Sequence, residues 1–172
     1  WPHPSFYVAA KTGDLSANHA QRDMNSIQVQ VDGEMLLTDL GHAPYSTEYF
    51  SPTRGEFYEV QARAHNTVCV GHRDHLIDAQ GSIVEAQTGH NYRWVACDAG
   101  DACGDNVHFI RHVVLLISPT NGAGRMLLVM DELGSPVRER AELFWHTQGA
   151  IELDPKTARG TGPEAAAAKA RL

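Results

Sequence analysis

At 172 residues and 42% hydrophobic content, the chain is long enough to bury one core and too short for two ordinary domains. A formal net charge of −7 excludes a general role on nucleic acid or on an anionic membrane surface, so an anionic ligand needs a local basic site. With 15 glycines and 8 prolines, the chain is interrupted too often for long helices and favours short strands and turns.

Ser5 to Ala10 reads as a first strand, closed by the polar loop that carries His19. From Ser26 to Val31 the alternation is strict: Ile27, Val29 and Val31 fall on one face, Ser26, Gln28 and Gln30 on the other. Asp32-Gly33 is a two-residue hairpin turn, and Met35 to Leu37 returns antiparallel. Asp39 follows that run. It sits at the sheet's rim, or is buried with a partner, or caps the turn before Gly41. Residues 42 to 63 hold Tyr45, Tyr49, Phe50, Phe57 and Tyr58 among breakers, which reads as an ordered binding loop.

Thr67 to Val70, Ile83 to Gln87, Tyr92 to Cys97 and Val107 to Ser118 read as further strands. Val113 to Ile117 is continuously apolar, the mark of a strand covered on both faces. Asn121 to Gly124 predicts a hairpin turn into Met126 to Met130, and Leu143 to His146 and Ile151 to Leu153 supply two more strands. Strands at this spacing with no helical crossovers predict an all-β fold, an antiparallel β-sandwich over residues 1–154. Residues 155–172 are expected as a flexible or Ala-rich helical tail, too short to be stable alone.

Of the three cysteines, Cys97 and Cys103 flank a loop across which they could pair, and Cys69 lies inside an apolar strand; free buried thiols are the alternative. No apolar run approaches the ~20 residues that span a bilayer, and no signal-peptide pattern is present. There is no phosphate loop, no paired CxxC and no nucleophile elbow. Polar, ligand-capable residues instead stand at the ends of apolar runs in three segments: Asn18 to Ile27, Asp39 to His42, and Arg63 to Val68. These are expected to converge.

The order of these pieces resembles the C-terminal β-sandwich domain of the heparinase II/III-like polysaccharide lyases, a group related to exolytic alginate lyases and uronyl epimerases. The family has a His-x-His-x-Asp-x-x-Ser-Phe segment, a strand ending in Asp-x-Gly, a Tyr-bearing loop, and Arg-x-His-Asn before a strand. Here these read His19-Ala20-Gln21-Arg22-Asp23-Met24-Asn25-Ser26-Ile27, Asp39-Leu40-Gly41, Tyr45, and Arg63-Ala64-His65-Asn66. The resemblance covers residues 6 to 70 well and reaches weakly through Arg111 to Val114 and Leu128 to Asp131.

The resemblance implies β-elimination at a uronic acid, with an anionic polysaccharide or oligosaccharide as substrate and a periplasmic or secreted location. It also implies an N-terminal α/α-toroid domain, so this chain is expected to carry half an active site and to be inactive alone. His19 becomes the active-site histidine, Tyr45 a donor to the leaving oxygen, and Arg54 and Arg63 hold substrate carboxylate. Asp39 and His65 become ligands of zinc or another divalent metal. Gln21 stands where the family has its second histidine, and an amide binds zinc more weakly than imidazole. The expectation is therefore an empty or weakly held site, with Gln21 hydrogen-bonded to Asp39 or His65, or His42 substituting as ligand. Two other classes compete: a non-catalytic carbohydrate-binding or structural sandwich, and a cupin-like metalloenzyme with a two-His, one-carboxylate iron site.

Overall fold

The computed structural model describes residues 6–117 and 125–148 in full, and the backbone of 150–154 and 167–171. Its strands are β1 (Phe6–Ala10), β2 (Ile27–Val31), β3 (Glu34–Leu37), β4 (Val68–Val70), β5 (Ser82–Thr88), β6 (Tyr92–Asp98), β7 (His108–Ile117), β8 (Arg125–Gly134), β9 (Ala141–Leu143), β10 (Ala150–Asp154) and β11 (Ala167–Arg171). All named pairings are antiparallel: β1-β2-β3, β5-β6-β7-β8, and the pairs β4-β9 and β10-β11.

The alternation in β2 sets the first sheet's register. Ile27 and Val29 are buried while Gln28 and Gln30 are half-exposed, and a slip of one residue would put both glutamines in the core. Asp32 and Gly33 both take positive φ, 49° and 90°, the twist that a two-residue hairpin needs. Val8, Ile27 and Val29 pack against Val95, Cys97 and Val113 of the second sheet, and Trp145, Leu127 and Val129 close the sides. The result is the antiparallel β-sandwich expected. A second cluster, including Leu15, Met24, Val68, Val70 and Phe109, fills one end beneath the loops. All three cysteines are free and buried, and burial pushes the thiols of Cys69 and Cys103 up to about 12.

Three expectations need correction. In β7, Val113 and Leu115 are buried but Val114 and Leu116 are only partly so, because among the described residues no layer covers the outer face of this sheet. The strand expected at Leu143 to His146 lies earlier, at Ala141–Leu143. The Phe144 N–H still reaches Thr67 O, but the His146 N–H turns to the Asn66 side chain and leaves the ladder. Within the tail, Ala167–Arg171 is a strand along β10 rather than a helix. Ladder pairing supplies hydrogen bonds that so short an isolated helix could not sustain. The turn expected at Asn121 to Gly124 lies outside the described residues.

The segment after β3 is held by four 3₁₀ turns, Glu48–Phe50, Pro52–Glu56, Tyr58–Val60 and Ala62–Ala64, packed on Ala43, Tyr49, Phe57 and Val60. It is the ordered, aromatic-rich loop that its composition suggested.

Candidate functional site

Two of the three motif segments meet on one buried cation, and the third is tied in beside it through Asn66 and Thr38. Arg111 of β7 is fully buried and gives Nε and Nη2 to the two carboxylate oxygens of Asp131 on β8, at 2.7 and 2.8 Å. Its Nη1 reaches the carbonyls of Asn25, at 2.8 Å, and Asn66. The rings of Phe109 and Trp145 lie within 5.5 and 5.4 Å of the guanidinium carbon. A buried guanidinium needs all of this, because an unpaired charge there costs several kcal/mol, about 3–5 when one partner is removed.

Asn66 continues the junction. Its amide nitrogen donates to Ile27 O at 2.8 Å and Thr38 O at 2.9 Å, and its oxygen accepts from the His146 N–H at 2.7 Å. Ser26 Oγ accepts the Asn66 N–H, and the Thr67 hydroxyl donates to Met24 O. Within the motifs, Ser26, Asn66 and Thr67 therefore tie chain segments together and are buried.

Thr38, so fixed, delivers Asp39. One oxygen of Asp39 accepts the Gly41 N–H at 2.7 Å and the other meets His65 Nδ1 at 2.9 Å. It is at once the turn cap and the partner of a buried group, two of the readings its sequence position left open. Gly41 sits at φ 80°, a conformation that suits glycine alone here, and its carbonyl accepts from the Gln21 side chain at 2.7 Å. Gln21, Asp39 and His65 are thus brought to one turn, although the Gln21 amide bonds the backbone and not the side chains of Asp39 or His65. Burial opposes ionisation of Asp39, but the His65 ring, the Gly41 N–H and the Lys11 charge outweigh it and hold the carboxyl below its ordinary range.

His19 lies elsewhere on the same rim. It is exposed at φ 64°, a left-handed backbone that a non-glycine residue adopts at a cost and that the surrounding structure must enforce. Arg54 does so: Nη1 donates to Ala20 O at 2.6 Å and Nη2 to His19 O at 3.1 Å, while its guanidinium stacks 5.0 Å over Tyr49. The His19 ring lies 5.4 Å from Phe50, edge-on, and 6.1 Å from Tyr45. His42 stacks on Tyr45 at 4.5 Å with its Nδ1 on Ala43 O, which places it in the aromatic cluster and not beside Asp39. A cavity of about 230 Å³ is lined by Ala17, Asn18, His19, Phe50 and Arg54. A guanidinium carries five N–H donors, so Arg54 keeps donors for a ligand there after clamping the loop.

Arg63 is separated from that cavity. It lines a different one, with Cys69, His72, Arg73, Asp74, Glu142 and Phe144, and its Nε binds Gln61 at 2.7 Å. Its carbonyl accepts from Tyr58 and His146, so its backbone fixes the loop. Sequence reasoning did not assign Phe50 or Arg111 a role. Phe50 was visible only as part of an aromatic-rich loop, and Arg111 carries no local signal, since its partners lie in four distant segments.

The donors near Gln21 do not fit the metal that the resemblance implies. Asp39 and His65 are hydrogen-bonded to each other, Gln21 is engaged with a carbonyl, and among the described residues no three His, Cys, Asp or Glu side chains are grouped to hold an ion. Zinc takes four ligands in structural sites and three protein ligands in catalytic ones, and a facial iron triad needs a second histidine. The buried Nε2 of His65 has no hydrogen-bond partner, but one free nitrogen does not complete either set.

The sequence profile of a family described as heparinase II/III-like, C-terminal, matches residues 3–169. No curated protein matches the sequence. Two heparinase III structures, one of them with methylated lysines, superpose with TM-scores of 0.68 and 0.67 at 16% identity. They cover 90% and 92% of this chain, which spans 25% of theirs. At that identity the likeness is one of fold.

Proposed function

This chain belongs to the heparinase II/III-like C-terminal family, a family of polysaccharide lyases, and from that premise we propose that it forms one wall of a lyase active site that cleaves uronic-acid polysaccharide by β-elimination. The observation that carries this reading is His19, held exposed in a strained backbone beside Tyr45 and Phe50 with Arg54 in the same cavity. Strained backbone of this kind clusters at active sites, which supports the reading here because the ring beside it is exposed in a cavity.

The chemistry follows from these groups. The proton at C5 of a uronate becomes removable when the neighbouring carboxylate is neutralised, and the remaining donors of Arg54 supply that charge. His19 donates to the carboxylate or passes the proton. Tyr45 protonates or hydrogen-bonds the departing O4. Phe50 and Tyr45 offer apolar faces to the sugar ring. The opposite wall belongs to an N-terminal α/α-toroid domain, consistent with relatives about four times as long as the part matched. The Asp39–His65 pair serves as a clasp that sets the rim, with no step routed through a metal.

In a protein carrying both domains, His19→Ala should lower formation of the ultraviolet-absorbing unsaturated product by at least ~100-fold while leaving the fold intact. Unchanged turnover would remove His19 from the chemistry. The exposed aromatic cluster also favours a second reading, a sandwich that binds sugar without reacting. In that case the two-domain protein would bind polyuronate and yield no unsaturated product, with or without His19.

A further inference from the structure

The outer face of the second sheet carries a feature that the lyase reading does not use. Cross-strand pairing puts Gln87, Trp94, Val114 and Leu128 in one row and Ala96, His112 and Met130 in the next, all pointing away from the sandwich core. On this face Tyr92, Trp94, His112, Val114, Met130 and Glu132 line a shallow cavity of about 500 Å³. Monomeric proteins rarely leave so apolar a patch open without a use for it.

Its polar groups decide the kind of ligand. Trp94 Nε1 donates to His112 Nδ1 at 3.2 Å, and the two rings stack at 5.8 Å and 18°. An indole N–H can only donate, so Nδ1 accepts, and the other ring nitrogen, 2.9 Å from Glu132 Oε1, carries the proton to that carboxylate. On the other flank the Tyr92 hydroxyl reaches Gln87 Oε1 at 3.2 Å, and the Gln87 amide reaches Glu85 at 2.6 Å. Two aromatic rings, two positions apart on β6, are each held by a hydrogen-bond chain that ends on an exposed carboxylate.

We infer that this face is a second saccharide site, selective for an uncharged, hydroxyl-rich chain. A pyranose presents apolar C–H faces to stack on Trp94 and Tyr92, and its rim hydroxyls are donors that Glu85 and Glu132 accept. The charge argues against the alternatives. No lysine or arginine lines the cavity, and the nearby Arg93 gives donors to the carbonyls of Gly89 and Tyr92, so a polyuronate meets the Glu132 carboxylate in the lining and no cation. A second copy of the chain would bring its own Glu85 and Glu132 against the same pair and desolvate all four.

The test is the indole N–H spectrum of the 172-residue chain, titrated with cellohexaose, mannohexaose and hexamannuronate. At least one neutral hexasaccharide should shift the Trp94 resonance saturably at millimolar concentration or below and leave Trp145 unmoved, while hexamannuronate shifts Trp94 far less. In calorimetric titrations with the same sugar, Trp94→Ala should lower affinity by at least ~10-fold, and Tyr92→Ala by ~3–10-fold, which serves if the first variant fails to fold. Glu132→Gln keeps an acceptor oxygen and should cost no more than about 3-fold. The inference is overturned if neither neutral hexasaccharide moves Trp94 at about 10 mM, or if hexamannuronate moves it equally. It is also overturned if the resonance moves with protein concentration alone and sedimentation shows a dimer. Because His19 lies in another cavity, none of these outcomes bears on the lyase reading.

Discussion

The junction around Arg111 and the rim around His19 share the Asn18 to Ile27 segment and differ in the fate of their polar groups. In the junction nearly every donor has an acceptor: Arg111 is spent on Asp131, Asn25 and Asn66, and Asn66 on Ile27, Thr38 and His146. At the rim, His19, Tyr45 and Phe50 touch one another mainly through ring contacts and face solvent. A single stretch such as Asn18 to Ile27 therefore holds residues of opposite kinds, His19 at the rim and Asn25 in the junction, and adjacency in a motif says little about which ones meet a ligand.

The contrast can be broken most forcefully at its centre. Arg111→Met should destabilise the chain by about 3–5 kcal/mol in urea melts, because Asp131 and two buried carbonyls lose their donor. A loss under ~1 kcal/mol would mean that water or another side chain replaces it. Asn66→Ala should cost about 2–4 kcal/mol, since two carbonyls and one N–H are stranded at once.

Asp39→Asn should cost less, about 1–2 kcal/mol, and its signature is pH dependence. The folded carboxyl titrates below the ordinary 3.8, so its contribution is complete above that value and lost as pH falls through the lower folded one. The variant should lack this part of the acid limb; an identical acid limb would mean that the His65 bond contributes nothing. His19→Gly sharpens the comparison from the rim side. Glycine adopts φ 64° freely, so the variant should be as stable or more stable by up to ~1 kcal/mol in thermal melts, while the two-domain enzyme loses activity. A destabilised variant would show that the His19 ring supports the fold. Smallest of all, a chelator should leave the melting midpoint unmoved. A drop of several degrees would restore an ion between Asp39 and His65.

Much of the fold was readable because strand periodicity is local. Ile27 to Val31 announces its buried face, and Asp32-Gly33 its turn, without reference to anything distant. The meeting of Gln21, Asp39 and His65 at one turn was legible as order along the chain, but the division of labour was not. Arg54 and Arg63 look equivalent in sequence, yet folding sends one into the His19 cavity and the other into a separate one, and no local pattern encodes that choice. The open face of β7 misled for a related reason: a continuous apolar run reports that side chains are greasy, not that anything covers them.

Arg111 and Asn25 are 86 positions apart in the chain, and a contact of that span is expected to close late in folding. The shape of the His19 loop would then depend on a late, non-local step, as expected of slow-folding β topologies. Amide protons along the loop at Asn25 and Ser26 should exchange at the rate of global opening and not by local fraying, so half-folded forms of this protein would present no working rim at all.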